Sequence, residues 1–279
     1  MTEKFRAALV QTCTGCDVDR NISDVSNQIR EAASNGATYI QTPEVTNVIE
    51  VRGADQLAKS EPDDYSNRAI AAFASLSKEL GIWLHIGSMA VRKAEDKLAN
   101  PAFLFDPDGK IKARYDKIHM FDVDVDSANR YNESRRYDAG DRAVLADLPW
   151  GKLGITICYD MRFPALYRSL AKAGAQVIAV PSAFTVPTGK AGHWLTLLRA
   201  RAIEAQCYVL AAAQAGEHES GRKSYGHSVA IAPWGEILAE ADGLQKTVIY
   251  ADIDMEEVEK ARSRVPSLGN DRPFDVTFA

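Results

Sequence analysis

Short apolar segments alternate with amphipathic ones in this sequence, and no other feature limits the possible folds as strongly. Phe5 to Gln11 is largely apolar, which predicts a buried strand. From Asp17 to Ala33, apolar side chains recur every three or four residues, and this spacing predicts a helix. A strand at Ala37 to Gln41, a helix at Ala69 to Leu80 and a strand at Ile82 to Ile86 follow. Such alternation predicts an α/β fold.

Hairpins are interleaved with these units. Asp106-Pro-Asp-Gly109 is a turn sequence between predicted strands at Leu98 to Phe105 and Ile111 to Tyr115. Further strands are predicted at 153–157, 176–180, 208–213, 227–232, 237–240 and 247–253, and helices at 165–173, 193–206 and 256–264. We therefore expect one domain over residues 1–279, with a mixed sheet or two stacked sheets and a C-terminal tail at 265–279.

Composition narrows the classes of function. The net charge is −5, and the absence of a basic run argues against a nucleic-acid partner. No window approaches 18 uninterrupted apolar residues, and the N-terminus lacks the apolar core of a signal peptide, so we expect no membrane association. Four cysteines in 279 residues do not suggest a disulfide framework. The expectation is a soluble, cytoplasmic protein.

One cysteine ends a predicted strand. Leu153 to Ile157 runs directly into Cys158, and Pro164 then marks the first turn of a helix. A strand would hold the sulfur rigidly, and a helix N-terminus would favour the thiolate. The alternative is that Cys158 is a small buried apolar residue.

Two more chemically active residues occupy equivalent positions. Glu44 and Lys117, like Cys158, lie just beyond the end of a predicted strand, where α/β folds hold ligands. The carboxylate can act as a general base, the thiolate as a nucleophile, and the ammonium can stabilise an oxyanion together with the Tyr159 N–H. A loop carboxylate and a solvated surface lysine are the ordinary alternatives. The irregular polar stretch at 118–142 is long enough to be functional or disordered.

The segments around these residues match known motifs. They are Thr42-Pro-Glu44, Tyr115-Asp-Lys117-Ile-His119, Ile157-Cys-Tyr-Asp-Met-Arg-Phe-Pro164, Pro181-Ser-Ala-Phe184, His193-Trp194, Arg199-Ala-Arg-Ala-Ile-Glu204, Tyr225-Gly-His-Ser228 and Pro233-Trp-Gly235. Together they cover nearly the whole chain and resemble the carbon–nitrogen hydrolase (nitrilase) superfamily. The resemblance implies that Cys158 is the nucleophile, Glu44 the general base and Lys117 the oxyanion stabiliser. It also implies that Glu133 orients the lysine and handles protons.

The resemblance has further implications. The family fold is a four-layer α-β-β-α sandwich that forms homodimers, with higher homo-oligomers allowed, and it uses no metal or organic cofactor. The motifs are most similar to the branch that contains deaminated glutathione amidase and omega-amidase. They imply cleavage of a small carboxylate-bearing amide through a cysteine thioester, with deaminated glutathione favoured. The segment from Thr185 to His193 is slightly longer than the branch pattern, which weakens the inference about the substrate.

Several alternatives stay open. Arg162, Phe184 and His193 are candidate substrate contacts, with Arg199 and Arg201 as less favoured cations. The substrate could instead be α-ketoglutaramate or an N-carbamoyl compound, or the chain could be a catalytically silent binding scaffold. The five histidines allow a Cys–His dyad, at residues 85, 119, 193, 218 and 227. Cys13 and Cys16 form a CxxC that is compatible with a redox role.

Overall fold

Two six-stranded sheets stack face to face in the computed structural model, which describes residues 4–125 and 130–278. The strands are β1 (Lys4–Gln11), β2 (Tyr39–Gln41), β3 (Trp83–Ile86), β4 (Val91–Arg92), β5 (Leu98–Ala99), β6 (Pro101–Phe105), β7 (Ile111–Asp116), β8 (Asp122–Asp124), β9 (Arg130–Asn132), β10 (Val144–Leu148), β11 (Gly151–Ile155), β12 (Val177–Ala179), β13 (Tyr208–Ala211), β14 (Ala215–Glu217), β15 (Lys223–Tyr225), β16 (Val229–Ile231), β17 (Ile237–Glu240) and β18 (Thr247–Asp254). The helices are α1 (Val18–Ser34), α2 (Gly53–Lys59), α3 (Arg68–Leu80), α4 (Pro164–Lys172), α5 (Val186–Lys190), α6 (His193–Ala205) and α7 (Glu256–Arg264), with a 3-10 helix at Cys158–Arg162.

Strand order determines which loops meet. The first sheet has the order β18-β1-β2-β3-β6-β7, and the second has the order β10-β11-β12-β13-β16-β17. In the first sheet β1, β2 and β3 are parallel, while β6 is antiparallel to β3 and β7 is antiparallel to β6. Strands β2 and β7 therefore run the same way, and the loops that follow them leave from one edge. In the second sheet β11, β12 and β13 are parallel.

Alternation along β1 shows how the layers form. Ala7 and Leu9 pack between the two sheets, against residues such as Ile155 and Leu210 of the second sheet. Ala8 and Val10, which alternate with them along the strand, pack against helices α1 and α3. Helices α4 and α6 cover the other face of the second sheet. The four-layer α-β-β-α sandwich is confirmed, because strands with apolar residues on both faces need a layer on each side.

Helix ends follow local chemistry. The Asp17 side chain accepts from the Arg20 N–H at the start of α1, and the Asn67 side chain accepts from Ala69 and Ile70 N–H groups at the start of α3. Gly81 ends α3 in the left-handed region, at φ 64°. None of the helices in the two described ranges is long and apolar enough to cross a membrane.

Several elements of the structure differ from the prediction. The single strand predicted at Leu98 to Phe105 is divided at Asn100, because Pro101 has no N–H with which to continue one ladder. The stretch at 118–142 contains the hairpin β8–β9, whose residues 126–129 lie outside the described residues. The short helices α2 and α5 were not predicted, since each is too short to show helical periodicity. Residues 265–278 form no helix or strand.

Candidate active site

The site forms where loops from both sheets meet. Glu44 follows β2 and Lys117 follows β7, at the same edge of the first sheet, and Cys158 follows β11 of the second sheet. Glu133 follows β9 in the hairpin beyond Lys117. All four side chains line one cavity of about 870 Å³. The structure therefore brings together the four residues that the sequence resemblance singled out.

A buried lysine joins two carboxylates. The Lys117 Nζ donates to Glu44 Oε1 at 2.8 Å and to Glu133 Oε1 and Oε2 at 3.0 and 2.9 Å. The exposed side-chain fractions are 2% for Lys117, 5% for Glu44 and 14% for Glu133. Charges so deeply buried require partners, and the three side chains satisfy one another. The Ala183 N–H, which donates to Glu44 Oε2 at 2.9 Å, fixes the other end of that carboxylate.

Protonation in this cluster follows from its geometry. Burial alone would raise the pKa of Glu44, but the charge and hydrogen bond of Lys117 outweigh burial and hold that pKa below the usual value of 4.5. Burial would lower the pKa of Lys117, and the charges of Glu133 and Glu44 instead raise it well above the usual 10.5. Near neutral pH, Glu44 is therefore a carboxylate and Lys117 an ammonium.

Cys158 is held in an unusual backbone conformation. It is the first residue of the 3-10 helix, with φ of 46°, and its N–H donates to the Pro181 carbonyl at 2.9 Å. A non-glycine residue in the left-handed region is strained, and such residues cluster at functional turns. No acceptor within residues 4–125 and 130–278 takes the Tyr159 N–H, which leaves it available to a ligand.

The expectation that Cys158 favours the thiolate is wrong for the resting site. Burial, reinforced by the negative charge of Glu44, raises the pKa of the Cys158 thiol well above the usual 9.0, although Lys117 acts in the opposite direction. The partial charge of a helix N-terminus is too small to offset this desolvation. The thiol consequently needs a base, and the ionised Glu44 lies in the same cavity.

Two supporting residues were not found from the sequence. The Asn100 side-chain N–H group lies 3.1 Å from Glu44 Oε1 and 3.4 Å from Glu133 Oε1, so it is a neutral donor between the carboxylates. The buried Asp160 accepts from the Tyr115 hydroxyl at 2.7 Å and the Ile157 N–H at 2.8 Å, and its other oxygen lies 2.7 Å from His119 Nδ1. The Asn-Pro pair inside a strand pattern was the available signal for Asn100.

The candidate substrate contacts separate into two groups. Phe184 and Tyr159 line the cavity. Arg162 and His193 are not among the described residues that line it. Instead, the Arg162 guanidinium lies 3.1 Å from His193 Nδ1 and 6.0 Å from the centre of the Phe184 ring. The Arg199 and Arg201 side chains donate to the carbonyl groups of Gly235 and Met161.

The alternative chemistries receive little structural support. None of the cavity-lining residues that the structure describes is a histidine. Cys13 and Cys16 donate to different carbonyl groups, those of Glu217 and Ile49, and burial raises the pKa of both thiols. Redox-active CxxC pairs have lowered thiol pKa values instead. Over the two described ranges, no three His, Cys, Asp or Glu side chains are grouped so that they could hold a metal ion.

Comparison with known proteins decides the family. Residues 6–263 match the family described as carbon-nitrogen hydrolase. The chain belongs to this family. It is 38% identical to deaminated glutathione amidase of Yersinia enterocolitica over 268 residues, covering 95% of this chain and 92% of the relative. It is 36% identical to omega-amidase NIT2 of Xenopus tropicalis over 264 residues, covering 94% and 93%.

A solved structure agrees with the assignment of this chain to the carbon–nitrogen hydrolase family. The crystal structure of the Caenorhabditis elegans NitFhit protein superposes with a TM-score of 0.90 at 35% sequence identity. The match covers 97% of this chain and 66% of that one. The present chain is accordingly a hydrolase that acts on carbon–nitrogen bonds other than peptide bonds.

Proposed function

We propose that this hydrolase is an amidase for deaminated glutathione, which it cleaves through a thioester on Cys158. The observation that carries the chemistry is the Lys117 ammonium bonded to Glu44 and Glu133 in the cavity that Cys158 lines. A binding scaffold would gain nothing from burying three charges beside a cysteine. This arrangement supports the Glu-Lys-Cys triad with Glu133 as a fourth member.

In the proposed first half-reaction, the Glu44 carboxylate takes the proton from the Cys158 thiol, and the sulfur attacks the amide carbon. The Lys117 ammonium and the Tyr159 N–H stabilise the oxyanion. Glu133 holds Lys117 through two oxygens, so one N–H can turn to the oxyanion while the other bond keeps the ammonium in place. The protonated Glu44 then gives its proton to the leaving nitrogen as the C–N bond breaks.

In the second half-reaction, a water molecule loses its proton to Glu44 and attacks the thioester carbon. Lys117 and the Tyr159 N–H stabilise the second oxyanion in the same way. The C–S bond breaks, the sulfur of Cys158 regains a proton from Glu44, and the acid is released. Glu44 thus accepts a proton and gives it up again twice in each turnover.

Charge and size in the cavity support the substrate class. Three guanidinium groups line it without forming an ion pair within the described parts of the chain, those of Arg135, Arg136 and Arg222. The lining carboxylates Glu44, Glu50 and Glu133 are all bonded to lysines. The excess positive charge favours a substrate with carboxylates. A volume of about 870 Å³ is in the range of sites that enclose ligands larger than a small primary amide.

Assembly and compartment are part of the proposal. Apolar side chains stay exposed in α6, around β17 and in the last residues of the chain: Ile203, Trp234, Ile237, Leu238, Phe274, Val276 and Phe278. Surfaces of this kind are typical of interfaces, which supports a homodimer. All four cysteines are free, which is compatible with the reducing cytoplasm.

Rapid mixing with candidate amides followed by intact-mass spectrometry tests the function. Deaminated glutathione and α-ketoglutaramate share their acyl group, so we expect the same 2-oxoglutaryl adduct on Cys158 from both. We expect kcat/KM to be at least about tenfold higher for deaminated glutathione, because its leaving amine carries a further carboxylate for the free guanidinium groups. A higher value for α-ketoglutaramate would favour omega-amidase activity, and a carbamoyl adduct an N-carbamoyl substrate. A chain without adduct or product across the panel would be a silent scaffold.

The pH dependence of kcat/KM tests the assignment of base and nucleophile. The proposed mechanism requires that Glu44 is ionised and Cys158 is protonated in the free enzyme. Because the Glu44 pKa is below 4.5 and the Cys158 pKa above 9.0, we expect kcat/KM to be constant from about pH 5 to 9 and to fall on both sides. An acid limb near pH 7 would contradict this assignment, because it would require a base with a different pKa.

A further inference from the structure

A tight turn places one arginine in the cavity. Residues 218–222 connect β14 to β15, with the His218 N–H donating to the Arg222 carbonyl and the Gly221 N–H to the His218 carbonyl. Ser220, Gly221 and Arg222 all line the active-site cavity. The Ser220 Oγ is buried and has no hydrogen-bond partner within residues 4–125 and 130–278. Ser220, with its unpaired hydroxyl, and Arg222 therefore border the same cavity.

The side chain of His218 anchors this turn to neighbouring segments. The buried His218 Nδ1 lies 2.9 Å from the Thr14 carbonyl oxygen, and its Nε2 lies 2.8 Å from Ser224 Oγ. Burial, helped by the nearby charge of Arg222, lowers the pKa of His218 to about 4, so the ring is neutral at physiological pH. A neutral ring can donate to Thr14 through Nδ1 while Nε2 accepts from Ser224. The backbone of the turn at Arg222 is therefore held in place before any ligand binds.

No carboxylate of the described residues forms an ion pair with Arg222. The adjacent Glu219 accepts from the Cys16 N–H at 3.1 Å, and Glu217 pairs with Lys223 at 2.9 Å. Arg222 donates to the Ala183 carbonyl at 3.2 Å, and the N–H of the same Ala183 holds Glu44 at 2.9 Å. Arg222 consequently lies on the Glu44 side of the site, where its charge helps to lower the pKa of Glu44 although the two groups form no ion pair.

We propose that Arg222, assisted by the Ser220 hydroxyl, binds a carboxylate on the amine portion of the substrate. This inference rests on the proposed function, in which Glu44 protonates the leaving nitrogen. The amine portion must then extend past Glu44, towards the turn at 218–222. For deaminated glutathione, the carboxylate in question is that of the C-terminal glycine. Arg222 thus selects amides with an acidic leaving amine over amides that release ammonia.

Calorimetric titration of a Cys158→Ala protein measures this contact without turnover. We expect deaminated glutathione to bind about 10- to 100-fold more tightly than its C-terminal glycinamide, as for other charge-assisted hydrogen bonds. Adding Arg222→Gln should reduce the affinity for the acid by the same factor and leave that for the amide unchanged. Lys223→Gln, next in the chain and paired with Glu217, is the matched control and should preserve the preference.

Turnover of otherwise unmodified enzyme separates this inference from the proposed function. Arg222→Gln should lower kcat/KM for deaminated glutathione about 10- to 100-fold and change that for α-ketoglutaramate less than about threefold. Equal losses for both substrates would mean that Arg222 acts on Glu44 or on the turn, and would overturn the subsite. If unmodified enzyme hydrolyses neither amide, the proposed function is wrong. The subsite would still be supported if the calorimetric experiment shows tighter binding of deaminated glutathione than of its glycinamide and Arg222→Gln abolishes that difference. If the Cys158→Ala protein does not bind deaminated glutathione, both the subsite and the proposed function are overturned.

Discussion

Replacement of Cys158 by alanine is expected to reduce kcat by at least about 10⁴-fold, the usual cost of losing a catalytic nucleophile. The fold should be retained. Alanine keeps the Cβ that occupies the left-handed conformation at φ 46°, so the substitution adds no backbone strain. Only the sulfur is lost, from a position that is 8% exposed. Amide hydrolysis and thermal unfolding, measured on the same preparation, check both statements.

Another cysteine provides the control for this result. Cys13→Ala removes a half-buried thiol outside the cavity lining, and we expect it to keep kcat within about twofold. A folded Cys158→Ala protein that still hydrolyses the amide would exclude the thioester mechanism. Loss of activity in Cys13→Ala instead would direct attention back to the CxxC pair.

The second large effect is expected on removing the Lys117 ammonium. Lys117→Met keeps the length of the side chain but leaves Glu44 and Glu133 without their shared cation. We expect kcat to fall by at least about 10³-fold, because the oxyanion loses its charged partner. The free energy of unfolding at pH 7 should fall by about 3–5 kcal/mol, the usual cost of breaking a buried ion pair. Denaturant unfolding and initial rates measure the two effects.

The sign of the pH dependence distinguishes electrostatics from packing. In Lys117→Met, burial and mutual repulsion raise the carboxyl pKa values above those of the unfolded chain, so stability should recover as pH falls from 7 to 5. In the unsubstituted protein, the Glu44 pKa lies below its usual 4.5, so this carboxylate stabilises the fold above that pH and the contribution is lost in acid. A stability loss in Lys117→Met that is constant with pH would show lost packing alone. Lys117→Met with Glu133→Gln should recover stability without activity.

Local patterns predicted most of the fold. Helix α7 has the predicted bounds. Helix α1 is shifted by one residue at both ends and α3 begins one residue earlier than predicted, and both have a clear apolar stripe. The sequence limited the sheet arrangement to two possibilities, one mixed sheet or two stacked sheets. The family resemblance favoured the stacked sheets, which is the correct arrangement. Pro101 was a local signal for the division of a strand at Asn100. The contacts of the Asn100 side chain with Glu44 and Glu133, residues far away in the chain, could not be read from any local pattern.

The site was predicted unevenly for a similar reason. Glu44, Lys117 and Cys158 each follow a strand, and strand ends can be located from one sequence. The protonation of Cys158 depends on burial and on the charge of Glu44, which are properties of the folded cavity. Arg222 lies in a polar turn that resembles any surface loop until β14 and β15 are placed beside the cavity. The residues at strand ends could therefore be predicted from the sequence. Properties that arise only when distant segments meet in the folded cavity could not.

The sharing of one ammonium by two carboxylates fixes the total charge of the catalytic centre. Two negative groups and one positive group leave a net charge of −1 at rest, with the thiol neutral. Proton transfer to Glu44 moves that charge to sulfur, attack moves it to the oxyanion, and loss of the amine returns it to Glu44. The total is the same at every step, so the surrounding dipoles never have to respond to a new charge. A rigid pocket can therefore support such a reaction with little reorganisation of its dipoles.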